Sequence, residues 1–210
     1  MSSDLVFYTN PQSRGRIVRW MLEEIGVPYR TEVLEYGTSM KSPEYLAINP
    51  MGKVPAIVHD GNVVTECAAI CAYLAEAFPE AGLAPIDNAE RANYYRWLFF
   101  TAGPVEAAIT NKSLFGSDPA PEKERMAGYG NYAAAIDALS SAVKANPYIA
   151  GNRFTAVDVY VGAQVGWGLQ FGTIDKRDEF ATYFARVSER EAFKRANEKD
   201  DALAQEPSEA

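Results

Sequence analysis

The chain has 210 residues, 48% of them hydrophobic and 23% charged, with a formal net charge of −8. This length supports one large or two small domains, and the acidic balance argues against a nucleic-acid binder, which needs a basic face. No stretch approaches the ~20 apolar residues of a membrane span, and Met1-Ser2-Ser3-Asp4 lacks the basic start of a signal peptide, so a cytoplasmic protein without a membrane anchor is expected.

Leu5–Tyr8 reads as a short buried strand, and Thr9-Asn10-Pro11-Gln12-Ser13 as a turn. A helix follows from about Arg14 to Ile25, with Ile17, Val18, Met21, Leu22 and Ile25 on one stripe and Gly26 as its C-cap. Tyr29–Leu34 reads as a second strand, which gives a β-α-β unit, and Ser42–Ala47 as a short helix. Val54–Val58 is an apolar strand opening on Pro55, which suits a strand's first residue. Asp60-Gly61-Asn62 is hairpin-turn chemistry, and Val63-Val64 returns. Thr65 stands as N-cap of a helix carrying Ala68, Ile70, Cys71, Leu74 and Phe78. The only histidine, His59, ends a strand beside the hairpin turn and is expected at the surface. Cys67 and Cys71, four apart on one helix, suit neither a disulfide nor a metal site, and no metal is expected.

Ala81–Asn88 reads as an interdomain linker. Beyond it the pattern is helical: one long helix over Ala89–Lys112, a second over Lys123–Lys144, and one or two more over Asp178–Glu198. Thr155-x-x-Asp158 fits a capping box that starts a helix, Ala156–Phe171, apolar nearly all round and so expected at the centre of an all-α domain. Asp200–Ala210 is polar and acidic and is expected to fray.

The run NPMGKVPA, followed by strand, turn, strand and then TECAAICAYL, resembles the glutathione-binding core of the cytosolic glutathione transferases. The order β-α-β-α-β-β-α is that of the thioredoxin fold. The fold class expected is therefore an α/β thioredoxin-like N-terminal domain over residues 1–82, with an all-α C-terminal domain over residues 88–210 that includes an acidic tail. The resemblance implies a Val54–Pro55 cis peptide beside the cysteinyl part of glutathione, with Glu66 and Cys67 on its γ-glutamyl end. Cys67 is a departure, because many members have serine there. Lys41 and Lys53 fall where some classes keep a lysine for the glycine carboxylate.

The first turn carries Pro11-Gln12-Ser13-Arg14 and no Cys-x-x-Cys, so the protein itself is not expected to exchange disulfides. The alternative chemistry is activation of the glutathione thiol by a hydroxyl donor at a helix N-terminus. Ser13 is the first candidate and Tyr8 the second, while Thr9 and Asn10 could also donate. Glutathione is then a co-substrate, attacking a small hydrophobic electrophile held between domains near Trp97, Thr101 and Trp167. Detoxification, a homodimer, and a cytoplasmic setting follow from the resemblance. The alternatives are a glutathione-dependent peroxidase or isomerase on the same scaffold, and a non-catalytic partner-binding module.

Overall fold

The computed structural model describes residues 4–205. Four strands form one sheet in the order β2-β1-β3-β4. The central β1 (Leu5–Thr9) is buried at Leu5, Val6, Phe7 and Thr9, as its place between two neighbours requires. The helix α1 (Gly15–Ile25) crosses over to β2 (Arg30–Val33), which pairs parallel to β1. Gly26, at φ 71°, ends α1 as expected. Ser42 caps the short α2 (Pro43–Ile48), its hydroxyl accepting the Tyr45 N–H. Then β3 (Ala56–His59) runs antiparallel to β1, and β4 (Asn62–Thr65) returns through a turn with positive φ at Asp60 and Gly61. Helices stand between β1 and β2 and between β2 and β3, a turn joins β3 to β4, and α3 (Cys67–Ala77) closes the series in the expected order.

By their internal contacts the residues fall into two units, Met1–Ala84 with Glu189–Ala210, and Pro85–Ser188. The last helix, α9 (Glu191–Gln205), therefore groups with the sheet, whereas its sequence position assigns it to the helical domain. Packing and charge explain why. Phe193 sets its ring edge-on to Trp20 of α1 at 4.8 Å. Arg190 reaches the Glu24 carboxylate through two bonds of 2.7 Å, and Glu23 takes Arg195 and Lys199. Burial alone would raise the Glu23 carboxyl, but hydrogen bonds from Lys199, Tyr29 and Arg195 outweigh it and hold it below the usual carboxylate range. Asp200 is fully buried and accepts Arg19 Nε at 3.1 Å. The expected fraying from Asp200 onward thus fails as far as Gln205, because Arg19 holds the helix there; residues 206–210 lie outside the described part.

The second unit is helical: α4 (Asn88–Phe100), α5 (Glu106–Phe115), α6 (Tyr132–Ala145), α7 (Ala156–Phe171) and α8 (Asp178–Ser188). The long helix read over Ala89–Lys112 is interrupted by a π turn, Thr101–Val105. Pro104 sits inside it, with no N–H to give and a ring that crowds the preceding turn. The helix read over Lys123–Lys144 starts only at Tyr132, where Asn131 caps it; Gly130 at φ 67° blocks helix before that point. Helix α7 is buried at every residue from Ala156 to Gly166, the central helix the sequence predicts. Among the described residues no helix is long and apolar enough to cross a membrane.

Candidate active site

The first site segment is Asn49–Pro55, and its sequence explains its shape. The Asn49 side-chain oxygen accepts the Met51 N–H at 3.1 Å, and the Gly52 N–H returns to the Asn49 carbonyl at 2.7 Å. Gly52, at φ 55°, is required here, since a Cβ would lie 2.7 Å from the Met40 carbonyl oxygen. The Lys53 carbonyl is clamped by the Tyr45 hydroxyl at 2.6 Å and the Asn49 amide at 2.7 Å. Burial pushes the Tyr45 phenol up to about 12, so it stays a donor. Val54 follows, packed on the Met40, Tyr45 and Ala56 cluster, and its bond to Pro55 is cis. Among the described residues nothing bonds to the Val54 N–H or C=O.

The second segment is the β4-to-α3 corner. Ala56 pairs with Thr65, so Val54 and Pro55 lie at the same end of the hairpin as Glu66 and Cys67. Glu66, rather than Thr65, occupies the N-cap of α3, because Thr65 is the last ladder residue of β4. Glu66 has φ 68° and ψ 120°, outside every region that a side-chain-bearing residue favours. Such a conformation costs about 1–3 kcal/mol. Its carboxylate is exposed, caps nothing, and has no partner among the described residues. The α3 N-terminus therefore keeps its positive end open beside Cys67. Cys67 is buried, and its thiol points to the Arg14 carbonyl at 3.6 Å.

That contact brings in the third segment, the turn between β1 and α1. The Asn10 side chain accepts the Gln12 N–H at 2.9 Å and donates to the Leu34 carbonyl at 2.9 Å. Ser13 donates its hydroxyl to the Asn10 carbonyl at 2.7 Å and accepts the Gly15 N–H at 2.9 Å. Gly15 is another close approach, since a Cβ there would fall 1.9 Å from the Thr9 hydroxyl. Thr9 is fully buried, and Asn10 is engaged on both sides of its amide, so neither is placed as a free donor. Tyr8 stands opposite Ala56 in the sheet, its ring 5.5 Å from Tyr45, and its hydroxyl makes no hydrogen bond among the described residues.

The structure thus gathers Tyr8, Ser13, Val54, Pro55, Glu66 and Cys67 at one end of the sheet. The two lysines differ. Lys41 gives its ammonium to the Met51 and Gly52 carbonyls at 3.0 and 2.9 Å, holding the turn, while the Lys53 side chain is exposed and makes no bond among the described residues. His59 is a correction: it is buried, bonded to the Tyr73 hydroxyl at 2.9 Å and set against the Phe78 ring, because α3 covers that end of β3.

A family model for the N-terminal domain of glutathione S-transferases matches residues 13–77, from Ser13 to the end of α3. The chain is 30% identical over 150 residues to the glutathione S-transferase GstA of Escherichia coli O157:H7, covering 70% of this chain and 73% of that protein. The chain belongs to the glutathione S-transferase family. It is also 30% identical over 157 residues to the transferase GST-4.5 of Xanthomonas campestris, covering 74% of this chain and 76% of that one. A glutathione transferase structure from Methylococcus capsulatus superposes with a TM-score of 0.75 at 27% identity, covering 94% of this chain and 99% of its own. A transferase homologue from Sulfitobacter, solved with bound glutathione, gives 0.76 at 26% identity, covering 95% and 99%.

In this transferase the residues expected near a second substrate lie in the helical unit. Trp97 is half-buried, edge-on to Phe100 at 5.5 Å, with the Arg96 guanidinium 4.5 Å from its ring. Trp167 is half-buried on α7. Thr101 is a correction. It belongs to the buried stripe Tyr94, Leu98, Thr101 and Val105, has no exposed surface, and cannot line a binding face. Arg16, to which the sequence assigns no site role, touches the Pro11 carbonyl, and no local pattern announces this because its other partner lies 185 residues on.

Proposed function

We propose that this transferase binds glutathione along Val54 and activates its thiol for attack on an electrophilic carbon. The observation that carries the reading is the unmatched polar set at one end of the hairpin: the Val54 N–H and C=O and the Glu66 carboxylate. An extended peptide would pair with Val54 as an added strand, and its ammonium end would meet Glu66. The carboxylate of its γ-glutamyl end would take the open α3 N-terminus at Cys67, and the glycine carboxylate at its other end would meet Lys53, with Lys41 holding the turn beneath. Cys67 replaces a hydroxyl donor with a weaker thiol already turned to Arg14.

A free thiol is only a few per cent thiolate at neutral pH, and lowering its pKa by about 2 units takes about 2.7 kcal/mol. Ser13, one residue before the N-cap of α1, is the first donor for that thiolate; it must turn its hydroxyl away from Asn10 to serve. A specific observation favours Tyr8 as the second: its hydroxyl has no partner among the described residues, and its ring packs on the cluster that includes Val54. The sulfur–carbon bond then forms as the carbon's leaving group departs with its electron pair, and the thiol proton passes to water. The reading includes a cytoplasmic homodimer that detoxifies small hydrophobic electrophiles, with Trp97 and Trp167 near the second substrate.

Calorimetric titration with glutathione at pH 6.5 and 8 tests the proposal. Saturable binding with proton release supports thiol activation; binding without release supports a non-catalytic module; no binding at millimolar glutathione overturns the proposal. Ser13→Ala should lower turnover with little change in glutathione affinity. If Tyr8→Phe does so and Ser13→Ala does not, the tyrosine is the donor.

A further inference from the structure

The turn that carries Ser13 is tied to the far end of the chain through one side chain. Arg16 lies in the first turn of α1, and its guanidinium folds back. Its Nε–H donates to the Pro11 carbonyl at 2.6 Å, and its Nη2 donates to the Asp201 carboxylate at 2.7 Å. The Gln12 N–H of the Pro11–Gln12 peptide is held by the Asn10 side chain at 2.9 Å, while the peptide's carbonyl lies outside any helix and takes its bond from Arg16, which ties this peptide to α1. Within the same turn the Ser13 N–H returns to the Asn10 carbonyl at 3.0 Å, and the Ser13 hydroxyl shares that acceptor. The orientation of the Pro11–Gln12 peptide therefore bears directly on where the Ser13 oxygen points.

Asp201 is itself placed by its neighbour. Asp200 is buried and locked to Arg19, which also donates to Tyr29 and to Thr31 of β2 at 3.2 and 2.8 Å. This pair sets the register of α9 against α1, and the next residue then falls opposite Arg16. An exposed ion pair is ordinarily worth ~0–1 kcal/mol. Arg16 differs because its second contact is a charge-assisted bond to a loop carbonyl, made with the fork that only arginine has.

We propose that Arg16, oriented by Asp201 of α9, is a positioning residue that sets the Pro11–Ser13 turn for thiol activation. The proposal rests on the glutathione-activating reading above, and three variants of the full-length protein separate the two. Arg16→Gln removes the fork, Arg16→Lys keeps the charge without it, and Asp201→Asn removes the exposed anchor. The readouts are turnover, glutathione affinity, the pH midpoint of the bound thiolate's ultraviolet absorbance, and amide hydrogen exchange of residues 12–16 without glutathione.

Arg16→Gln should lower turnover about tenfold, the size of one lost charge-assisted bond, and move the bound thiol's midpoint toward its free value. Glutathione affinity should stay within about twofold, because no group that meets the peptide is altered. Arg16→Lys should resemble Arg16→Gln. Asp201→Asn should shift the same readouts less, and add nothing in the Arg16→Gln background. Wild-type thiol titration in Arg16→Gln, full activity in Arg16→Lys, or an undiminished Asp201→Asn effect in the double variant would each overturn the proposal. If the wild-type protein fails to activate glutathione, the functional reading falls, and exchange decides the rest. Faster exchange at Ser13 and Gly15, with Ile70 of α3 unchanged, keeps Arg16 as the tether of this turn; unchanged exchange removes it.

Discussion

Two carboxylates stand at helix N-termini, Glu66 before α3 and Asp158 in the first turn of α7, and their surroundings are opposite. Asp158 has no exposed surface and accepts the Ile149 N–H at 2.9 Å, the Thr155 N–H at 3.0 Å, the Tyr183 hydroxyl at 2.8 Å and the Thr155 hydroxyl at 3.3 Å. Its backbone is ordinary helix and its capping box is complete. Glu66 is exposed, its carboxylate bonds to no side chain or N–H among the described residues, and it sits at φ 68°. A carboxylate whose acceptor sites the protein fills is part of the architecture. One held in a costly conformation with its acceptor sites open is arranged for something the chain does not contain.

Substitution at the filled site should have the largest effect on folding. Asp158→Ala leaves the Ile149 and Thr155 amides and the Tyr183 hydroxyl without their acceptor in a dry interior. At roughly 1–3 kcal/mol for each unsatisfied group, the loss should exceed about 3 kcal/mol in urea unfolding. A loss under about 1 kcal/mol would mean that the network is not what holds the head of α7. The same residue gives a pH test. Burial raises the Asp158 carboxyl to about 6 despite the hydrogen bonds that oppose it, led by those from the Ile149 and Thr155 amides. Its unfolded value is near 3.9, so between about pH 4 and 6 the native state holds more of this proton than the unfolded state. The contribution is full below the unfolded value and lost as pH rises through the native one, up to about 3 kcal/mol. Carbon-13 titration of the Asp158 carboxyl should show a midpoint near 6. A midpoint below the ordinary carboxylate value would reverse the sign.

The contrast also marks what a sequence reveals. Features whose partners lie within a few residues were legible: the short helix at Ser42, the Gly26 stop, the hairpin at Asp60-Gly61, and the Thr155–Asp158 box. The NPMGKVP run was legible through its resemblance to a known family, and its local bonds, from Asn49 to Met51 and Gly52, are what the structure adds. The glycines before Tyr132 were also there to be read against a helix through Met126 and Tyr129, but the run of apolar spacings masked them. Features made by distant partners were not legible. Asp200 looks like a solvated tail residue until Arg19, 181 positions earlier, closes over it. His59 looks exposed until Tyr73 and Phe78 come round on α3 and its end. The positive φ of Glu66 had no glycine to announce it, which is why Thr65 reads as the cap.

Of the open site's predictions, the larger concerns affinity. Glu66→Gln should weaken glutathione binding by roughly 1–3 kcal/mol, because a charge-assisted bond becomes a neutral one. With no partner for this carboxylate among the described residues, the variant should unfold within about 0.5 kcal/mol of wild type. Unchanged affinity by calorimetry would take Glu66 out of the site. A large loss of stability would move it into the class of Asp158.

The smallest expected effect is the most diagnostic, because its two readouts run in opposite directions. Glu66→Gly removes the Cβ that makes φ 68° and ψ 120° costly. The greater freedom that glycine gives the unfolded chain opposes this gain by about 0.5–1 kcal/mol, so the net stabilisation should lie between about 0 and 2.5 kcal/mol. Glutathione affinity should fall at least as far as in Glu66→Gln, since the carboxylate is gone altogether. Stability gained as binding is lost identifies a strained residue kept for its ligand. If both fall, the conformation of Glu66 is held by contacts that stabilise the corner. In that case the difference between it and Asp158 is only one of exposure.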